Sequence, residues 1–462
     1  MEIDWSLTID DLQEAVRQCW EVAAPKALRL LDPAMADGGT PVMTRGGKYA
    51  PQGWTEWTRG FQFGLALLVY DATGRRELLD AARERIWAEM RPHVTHFGVH
   101  DHGFNVVSTY GHLWRLAHEG LLSASSAEVA LYEMALAASG SVQAARWSHA
   151  AETGGYIYSF NGPQSLFCDT IRSLRSLAVA HRLGQWLWTE NDQKVSLLER
   201  LIQHAQTTAT WSVFYGEQRD IYDERGRVAH ESLFNTLTGQ YRCPSTQQGY
   251  SPFTTWTRGL AWIMLGYAEQ LEFVNELEED ELEAWGGLAQ VDQWMLRAAQ
   301  ASCDFYIDHT SLDGLPYWDT GAPGLVTLGD YRRQPADPFN DVEPVDSSAA
   351  AIACQGLLRL GDLLTNRGQV TDGNRYWQAG LTVLRRLLES PYFSRNPEHE
   401  GLLLHSVYHR PRGWDALPPG SPVPHSESSL WGDYHLAEAA LYVQRWIAER
   451  PAYHFYNGLF DC

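Results

Sequence analysis

Basic residues are scarce in this chain. Across 462 residues there are 36 lysines and arginines against 57 aspartates and glutamates, for a net charge of −21. So acidic a chain is poorly suited to nucleic acid, whose affinity rests on Lys and Arg at phosphates. It can still hold a small anion, which needs only a few local donors. No apolar run reaches the roughly 18 residues a bilayer span requires. The first residues, MEIDWSLTIDDLQEAVRQCW, carry neither a basic n-region nor an apolar h-region, which argues against a cleaved secretion signal. Six cysteines (Cys19, Cys168, Cys243, Cys303, Cys354, Cys462) are scattered without a CxxC, and they read as reduced thiols of a cytoplasmic protein. A Gly-rich phosphate loop, a GxSxG elbow and an HExxH motif are also missing. Aromatic rings are plentiful, with 19 Trp and 21 Tyr. Such a stock serves helix packing or a cleft of flat rings.

Helical periodicity recurs throughout, and two kinds of helix alternate. Segments such as FQFGLALLVY after Arg59 and SSAAAIACQGLLRL from Ser347 are apolar or small all round, so they must be buried on nearly every side. Others carry a stripe: Leu78, Ala82, Ile86 and Met90 in one, Trp377, Leu381, Leu384 and Leu388 in another. The sequence predicts buried helices over 54–72, 103–118, 164–184, 254–271, 347–366 and 430–447. Striped helices are predicted over 9–31, 75–90, 124–140, 192–211, 291–307 and 373–389. Six of each, alternating and with no linker between them, predict an all-α chain folded as a single (α/α)6 barrel over 1–462. In that fold the inner helices run parallel and gather their N-termini at one end. The long loops 32–53, 212–253, 312–346 and 390–429 precede inner helices and belong at the same mouth. Helix N-termini converging there favour an anion.

The tetrapeptide WTRG occurs twice, at Trp57 and at Trp256, each time opening a buried helix. The two copies are expected to face each other across the mouth. Asp101, between His100 and His102, and Asp169, among Leu166, Phe167, Cys168 and Ile171, are the carboxylates placed for acid–base work. Apolar surroundings are expected to raise the pKa of Asp169 by desolvation. The competing reading for either aspartate is a helix N-cap. Arg258, between Trp256 and Trp262, is either paired with a loop aspartate or forms a fork that grips a carboxylate bidentately; the same applies less strongly to Arg59. His93, His96, His100 and His102 crowd together, and a metal site is conceivable because His96 and His100 lie at i, i+4. They match no strong ligand motif, and we expect neither metal nor cofactor.

The runs EWTRGF, HDHGF, the Asp169 segment, TTWTRGLAW, DSSAAAIACQGLLRL and WGDYH, taken in this order, resemble the unsaturated glucuronyl hydrolases, glycoside hydrolase family 88. The resemblance runs from about Trp54 to the C-terminal region. It implies an (α/α)6 barrel acting on small oligosaccharides whose non-reducing end is a 4,5-unsaturated uronic acid. It also implies that Asp169 is the principal general acid and base, with Asp101 as its partner. Trp57, His100, His230, Gln248, Trp256, Arg258, Trp262 and Tyr434 then match positions lining the sugar subsite. The implied reaction is hydration of a vinyl ether rather than attack at the anomeric carbon. Two positions depart from the pattern: His102 stands where an aliphatic residue is usual, and Arg172 lies one helical turn after Asp169. The alternatives are a hydrolase of unsaturated rhamnogalacturonan disaccharides, an (α/α)-barrel isomerase or lyase, and a non-catalytic carbohydrate-binding barrel. Fold alone does not choose among these.

Overall fold

The structure, a computed structural model, describes residues 1–35, 39–51 and 57–456. Its helices form two concentric rings. The inner helices are Arg59–Thr73, a second that runs from His102–Asn105 through a π turn at Val107–Gly111 into His112–His118, a third made of Thr170–Ser173 and Arg175–Arg182, then Thr257–Val274, Ser347–Asn366 and Leu430–Ile447. Each packs on the next, and the sixth returns to the first, closing the ring. The outer helices are Gln13–Leu30, Arg76–Glu89, Ser126–Ala145, Leu197–Trp211, Leu288–His309 and Val370–Leu387. The fold is all-α, an (α/α)6 barrel.

The two sequence patterns explain the two rings. In Thr257–Val274 every residue except Glu272 is buried, as an all-round apolar helix requires. Outer Arg76–Glu89 buries only the stripe Leu78, Leu79, Ala82 and Ile86. One contiguous cluster of buried side chains draws on both rings from Leu7 to Tyr456.

The inner helices pack closely where glycine permits it. A Cβ on Gly60 would lie 2.4 Å from the carbonyl oxygen of Asn105, and one on Gly103 2.4 Å from that of Ser173. Gly60 N–H donates to Asn105 Oδ1 at 2.8 Å, and Gly103 N–H to Ser173 Oγ at 2.9 Å. These contacts draw the first three inner-helix starts together.

Two boundaries differ from expectation. The third inner helix does not begin at 164. Ser165–Phe167 is instead the edge of a small sheet with Glu231–Phe234 and Tyr241–Ser245, and the helix starts at Thr170. Gln193–Ser196 pairs with Trp186–Thr189 as a hairpin, so the fourth outer helix begins at Leu197, not 192. Residues 54–56 of the first expected inner helix lie outside the described residues.

The barrel's far end is filled with charge. Arg172 pairs with Glu269 at 2.7 Å and Glu438 at 3.1 Å, while Arg115 and Arg445 share Asp71 and Glu119. Tyr453 lies under the guanidinium groups of Arg115, Arg359 and Arg445, and its hydroxyl accepts from Gln355 at 3.0 Å. Tyr453, Phe455 and Tyr456 are each 1% exposed, so the chain after the last helix closes that end.

Candidate active site

Asp101 and Asp169 occupy the N-cap positions of the second and third inner helices, yet neither side chain caps its helix. Asp346 shows the contrast: it accepts from the N–H groups of Ser348 and Ala349 and caps the fifth. Asp101 and Asp169 therefore keep their carboxylates for the cavity, against the capping alternative. Asp101 Oδ2 and Asp169 Oδ1 are buried and accept no hydrogen bond from the protein.

Between them lies His100, fully buried, with Nε2 3.8 Å from Asp101 Oδ1 and 3.9 Å from Asp169 Oδ2. Its ring packs against Phe160 and Phe167, and Gln143 holds its backbone carbonyl at 3.0 Å. The two carboxylates are electrostatically unequal. Burial raises the pKa of Asp101, and the nearby Asp169 charge adds to this against the opposing pull of His100. Burial pushes Asp169 the same way, but His100 and His230 outweigh it and hold Asp169 below the ordinary value. This corrects the expected rise at Asp169: its neighbourhood is apolar in sequence, but two imidazoles reach it in space. Burial would depress His100, yet the two aspartates overcome it and raise its pKa.

A cavity of about 580 Å³, its open mouth included, rises above this pair. Trp57, Asp101, Asp169, Gln248, Trp256, Arg258 and Trp262 all line it, so both WTRG tryptophans do face one space. Trp262 packs on Phe104 and His435. His230 stands just behind the wall, brought beside Asp169 because Cys168 N–H donates to its carbonyl at 2.9 Å. Its Nδ1 accepts from the backbone N–H of Gln247 at 3.0 Å, which sets the turn carrying Gln248, and its ring meets Trp256.

Five expectations are corrected, the first two being His100 and His230, which are buried behind the cavity wall and do not line it. Tyr434 does not line the cavity; it is buried against Phe61, and its hydroxyl meets His112 Nε2 at 2.9 Å. The helical neighbour three residues before it, on the mouth side, is Trp431, whose ring backs Trp57 at 5.0 Å. Arg59 turns outward to Glu89 and Phe63, because the outer helix offers it a carboxylate. Arg258 lines the cavity but does not offer an open fork. Its terminal nitrogens donate to Val407 O, Tyr408 O (2.7 Å), Gln248 Oε1 (2.9 Å) and, at 3.5 Å, Asp346 Oδ2. Sandwiched between Trp256 and Trp431, it clasps the loop before the sixth helix to the Gln248 turn.

Sequence reading missed Phe160, Gln247, Tyr408, His409, Arg412 and Trp414, which complete the lining. Tyr408 accepts from Trp57 Nε1 at 3.3 Å. Arg412 is exposed at the rim beside the Trp414 ring. The signal was present in VYHRPRGW, a cluster of rings and cations inside a long mouth loop. Of the crowded histidines, His102 is spent on Ser139 Oγ at 2.8 Å and the His96 carbonyl at 3.2 Å. Among the described residues no group of three or more His, Cys, Asp and Glu is placed to hold a metal ion.

No family model matches the chain. It is 24% identical over 438 residues to an unsaturated chondroitin disaccharide hydrolase of Streptococcus pyogenes, covering 93% of this chain and 91% of the relative. An unsaturated glucuronyl hydrolase of a Bacillus species is 23% identical over 443 residues, covering 94% and 97%. Among solved structures, an unsaturated glucuronyl hydrolase specific for heparin superposes with a TM-score of 0.70 at 19% identity, over 94% of this chain and 98% of the other. The structure of the Bacillus enzyme superposes with a TM-score of 0.68 at 22% identity, over 95% and 99%. In sequence and in fold, over nearly its whole length, the chain is similar to unsaturated glucuronyl hydrolases.

Proposed function

We propose that the protein is a glycoside hydrolase that removes a 4,5-unsaturated uronic acid from the non-reducing end of lyase-generated oligosaccharides. The observation that carries this reading is the pair of buried, uncapped carboxylates meeting at His100 beneath a wall of tryptophans. A barrel that only bound sugar would need the rings but not two desolvated aspartates. An isomerase or lyase would want a His or Tyr base in their place. The relatives' names, for chondroitin disaccharides and heparin among others, support the same class of substrate. Those names leave an unsaturated rhamnogalacturonan disaccharide as the alternative to be tested.

The chemistry is hydration of the C4=C5 double bond. A carboxylic acid at Asp169 protonates C4, and positive charge develops at C5 beside the ring oxygen. Water adds to C5 and returns its proton to the same carboxylate. The hemiketal formed opens and releases the aglycone. Asp101 keeps a like charge or a second proton within reach of Asp169 throughout. The flat face of the unsaturated ring stacks on the tryptophans. The loop braced by Arg258 presents Tyr408, His409 and Arg412 to the sugar and its neighbour. No metal or cofactor enters these steps. We place the enzyme in the cytoplasm as one catalytic unit spanning the chain, consistent with the exposed free thiol of Cys243.

The test is a panel of lyase-generated disaccharides. The substrate's ultraviolet absorbance should fall as it reacts, heavy water should leave one deuterium at C4, and heavy-oxygen water should label C5. Saturated glucuronides should be inert. Label at C1, or equal turnover of saturated glucuronides, would indicate an ordinary glycosidase with separate acid and base.

A further inference from the structure

His100 has a place in this site that lining a sugar subsite does not explain. It is 0% exposed, beyond the reach of a solvent-facing ligand, and neither ring nitrogen has a hydrogen-bond partner in the protein. Its Nε2 stands almost equidistant from the two carboxylates, at 3.8 and 3.9 Å. A neutral imidazole left without partners in a dry pocket is costly, whereas an imidazolium between two carboxylates is matched in charge.

The other charged or titratable groups around it are few. Asp101 precedes the second inner helix and Asp169 the third. Arg146 follows the third outer helix and opposes a proton on His100. His204, on the fourth outer helix, is held by burial at about 3. His230, beside the small sheet, is also depressed by burial, and its Nδ1 already accepts backbone N–H. Both neighbouring imidazoles are thus neutral near pH 7, and the proton falls to His100.

We propose that His100 stores the proton that Asp169 delivers: it keeps Asp169 ionised while the pocket is empty and passes its Nε2 proton to Asp169 Oδ2 when an anionic sugar enters. The arriving uronate supplies the negative charge and excludes water, and both effects raise the proton affinity of Asp169. The N–H bond of His100 breaks and the O–H bond of Asp169 forms, leaving a neutral imidazole. Asp169 then spends that proton on C4 and regains one from the attacking water. When the anionic product leaves, the proton returns to His100. His100 is therefore a positioning residue for the proton and acts through Asp169.

The destination of the proton rests on the hydrolase reading above, but the resting state does not, so two arms separate them. Imidazole ¹⁵N NMR on the substrate-free enzyme should find His100 protonated above about 6.5, the ordinary histidine midpoint. Asp169→Asn should lower its proton affinity by about tenfold or more. A His100 already neutral at about pH 6, or a midpoint that ignores Asp169→Asn, overturns the proposal. With an unsaturated uronyl disaccharide, His100→Asn should lose about 10²-fold in kcat while KM stays within about threefold, and its pH profile should lose the alkaline limb set by His100. A profile that superposes on the wild type also overturns the proposal. If the wild type turns over no unsaturated uronide, the hydrolase reading fails, and the NMR titration still decides the resting state.

Discussion

At the scale of the residue, two aspartates with the same sequence context of helix start and loop are shifted in opposite directions, because burial prevails at Asp101 while His100 and His230 together outweigh it at Asp169. Asp169→Asn should cut turnover by about 10²-fold or more, and Asp101→Asn should be severely impaired, with circular dichroism unchanged. Near wild-type turnover in the first variant would remove Asp169 from the chemistry. Arg258→Lys tests the clasp. An ammonium cannot bridge Gln248, Val407 and Tyr408 at once, because it lacks the planar fork. Expected are a lower kcat and a raised KM together, with the loop around Tyr408 more open to proteolysis. If that loop is as protected as in the wild type while KM alone rises, Arg258 acts on the ligand instead. Both Asp101 and Asp169 were legible in the sequence, because carboxylates at the starts of buried helices are conspicuous. The direction of the Asp169 shift was not, since His100 and, through strand pairing, His230 each reach it only across some sixty to seventy residues of chain. Tyr434 misled for a related reason: WGDYH opens the sixth helix, and Tyr434 shares a helix face with Trp431 but lies one turn deeper, so Trp431 backs Trp57 while Tyr434 packs on Phe61.

At the scale of the element, the alternation of all-round apolar and striped helices gave the double ring directly, because burial on every side and burial on one face leave different periodicities. The small sheets stayed hidden, since strands of three to five residues carry too little pattern to compete with helix. The glycines at inner-helix starts are what let those helices meet. Gly103→Ala would place a methyl 2.4 Å from the Ser173 carbonyl oxygen, so the second and third helix starts must part. The expected cost is about 1–3 kcal/mol in denaturant unfolding. Because Asp101 and Asp169 ride on those two starts, activity should fall further than stability does. A variant as stable and as active as the wild type would show that the contact yields without moving the site.

At the scale of the whole molecule, the far end of the barrel is held by buried ion pairs rather than by an apolar plug. Burial opposes the charge on Glu438, but Arg172, His435 and Arg175 prevail and hold its pKa at about 2. A carboxylate depressed in the folded state contributes stability that is present above its unfolded value and is lost as pH falls toward the folded one. Glu438→Gln leaves Arg172 with a buried charge half compensated, so it should cost about 3–5 kcal/mol at pH 7. The gap from the wild type should narrow as pH drops below about 4.5, where the carboxylate of the unfolded chain takes up a proton while the folded one, held at about 2, does not. A gap that is constant from pH 7 to pH 4 would mean that packing, not charge, is what the substitution removes. The same network accounts for Arg172, whose partners lie on the fourth and sixth inner helices, too far along the chain to read beforehand.

Tyr453, Phe455 and Tyr456 make the barrel a vessel with one opening. Whatever enters at the tryptophans must leave by the same way, and nothing can thread through. A long glycan can therefore present only its terminal ring, and after each cut the shortened chain has to withdraw before another end is admitted. The aglycone, lying outward, departs ahead of the released sugar beneath it. Such an enzyme cannot travel along a polymer. Its rate on mixed-length material should depend on the number of chain ends rather than on the mass of glycan supplied.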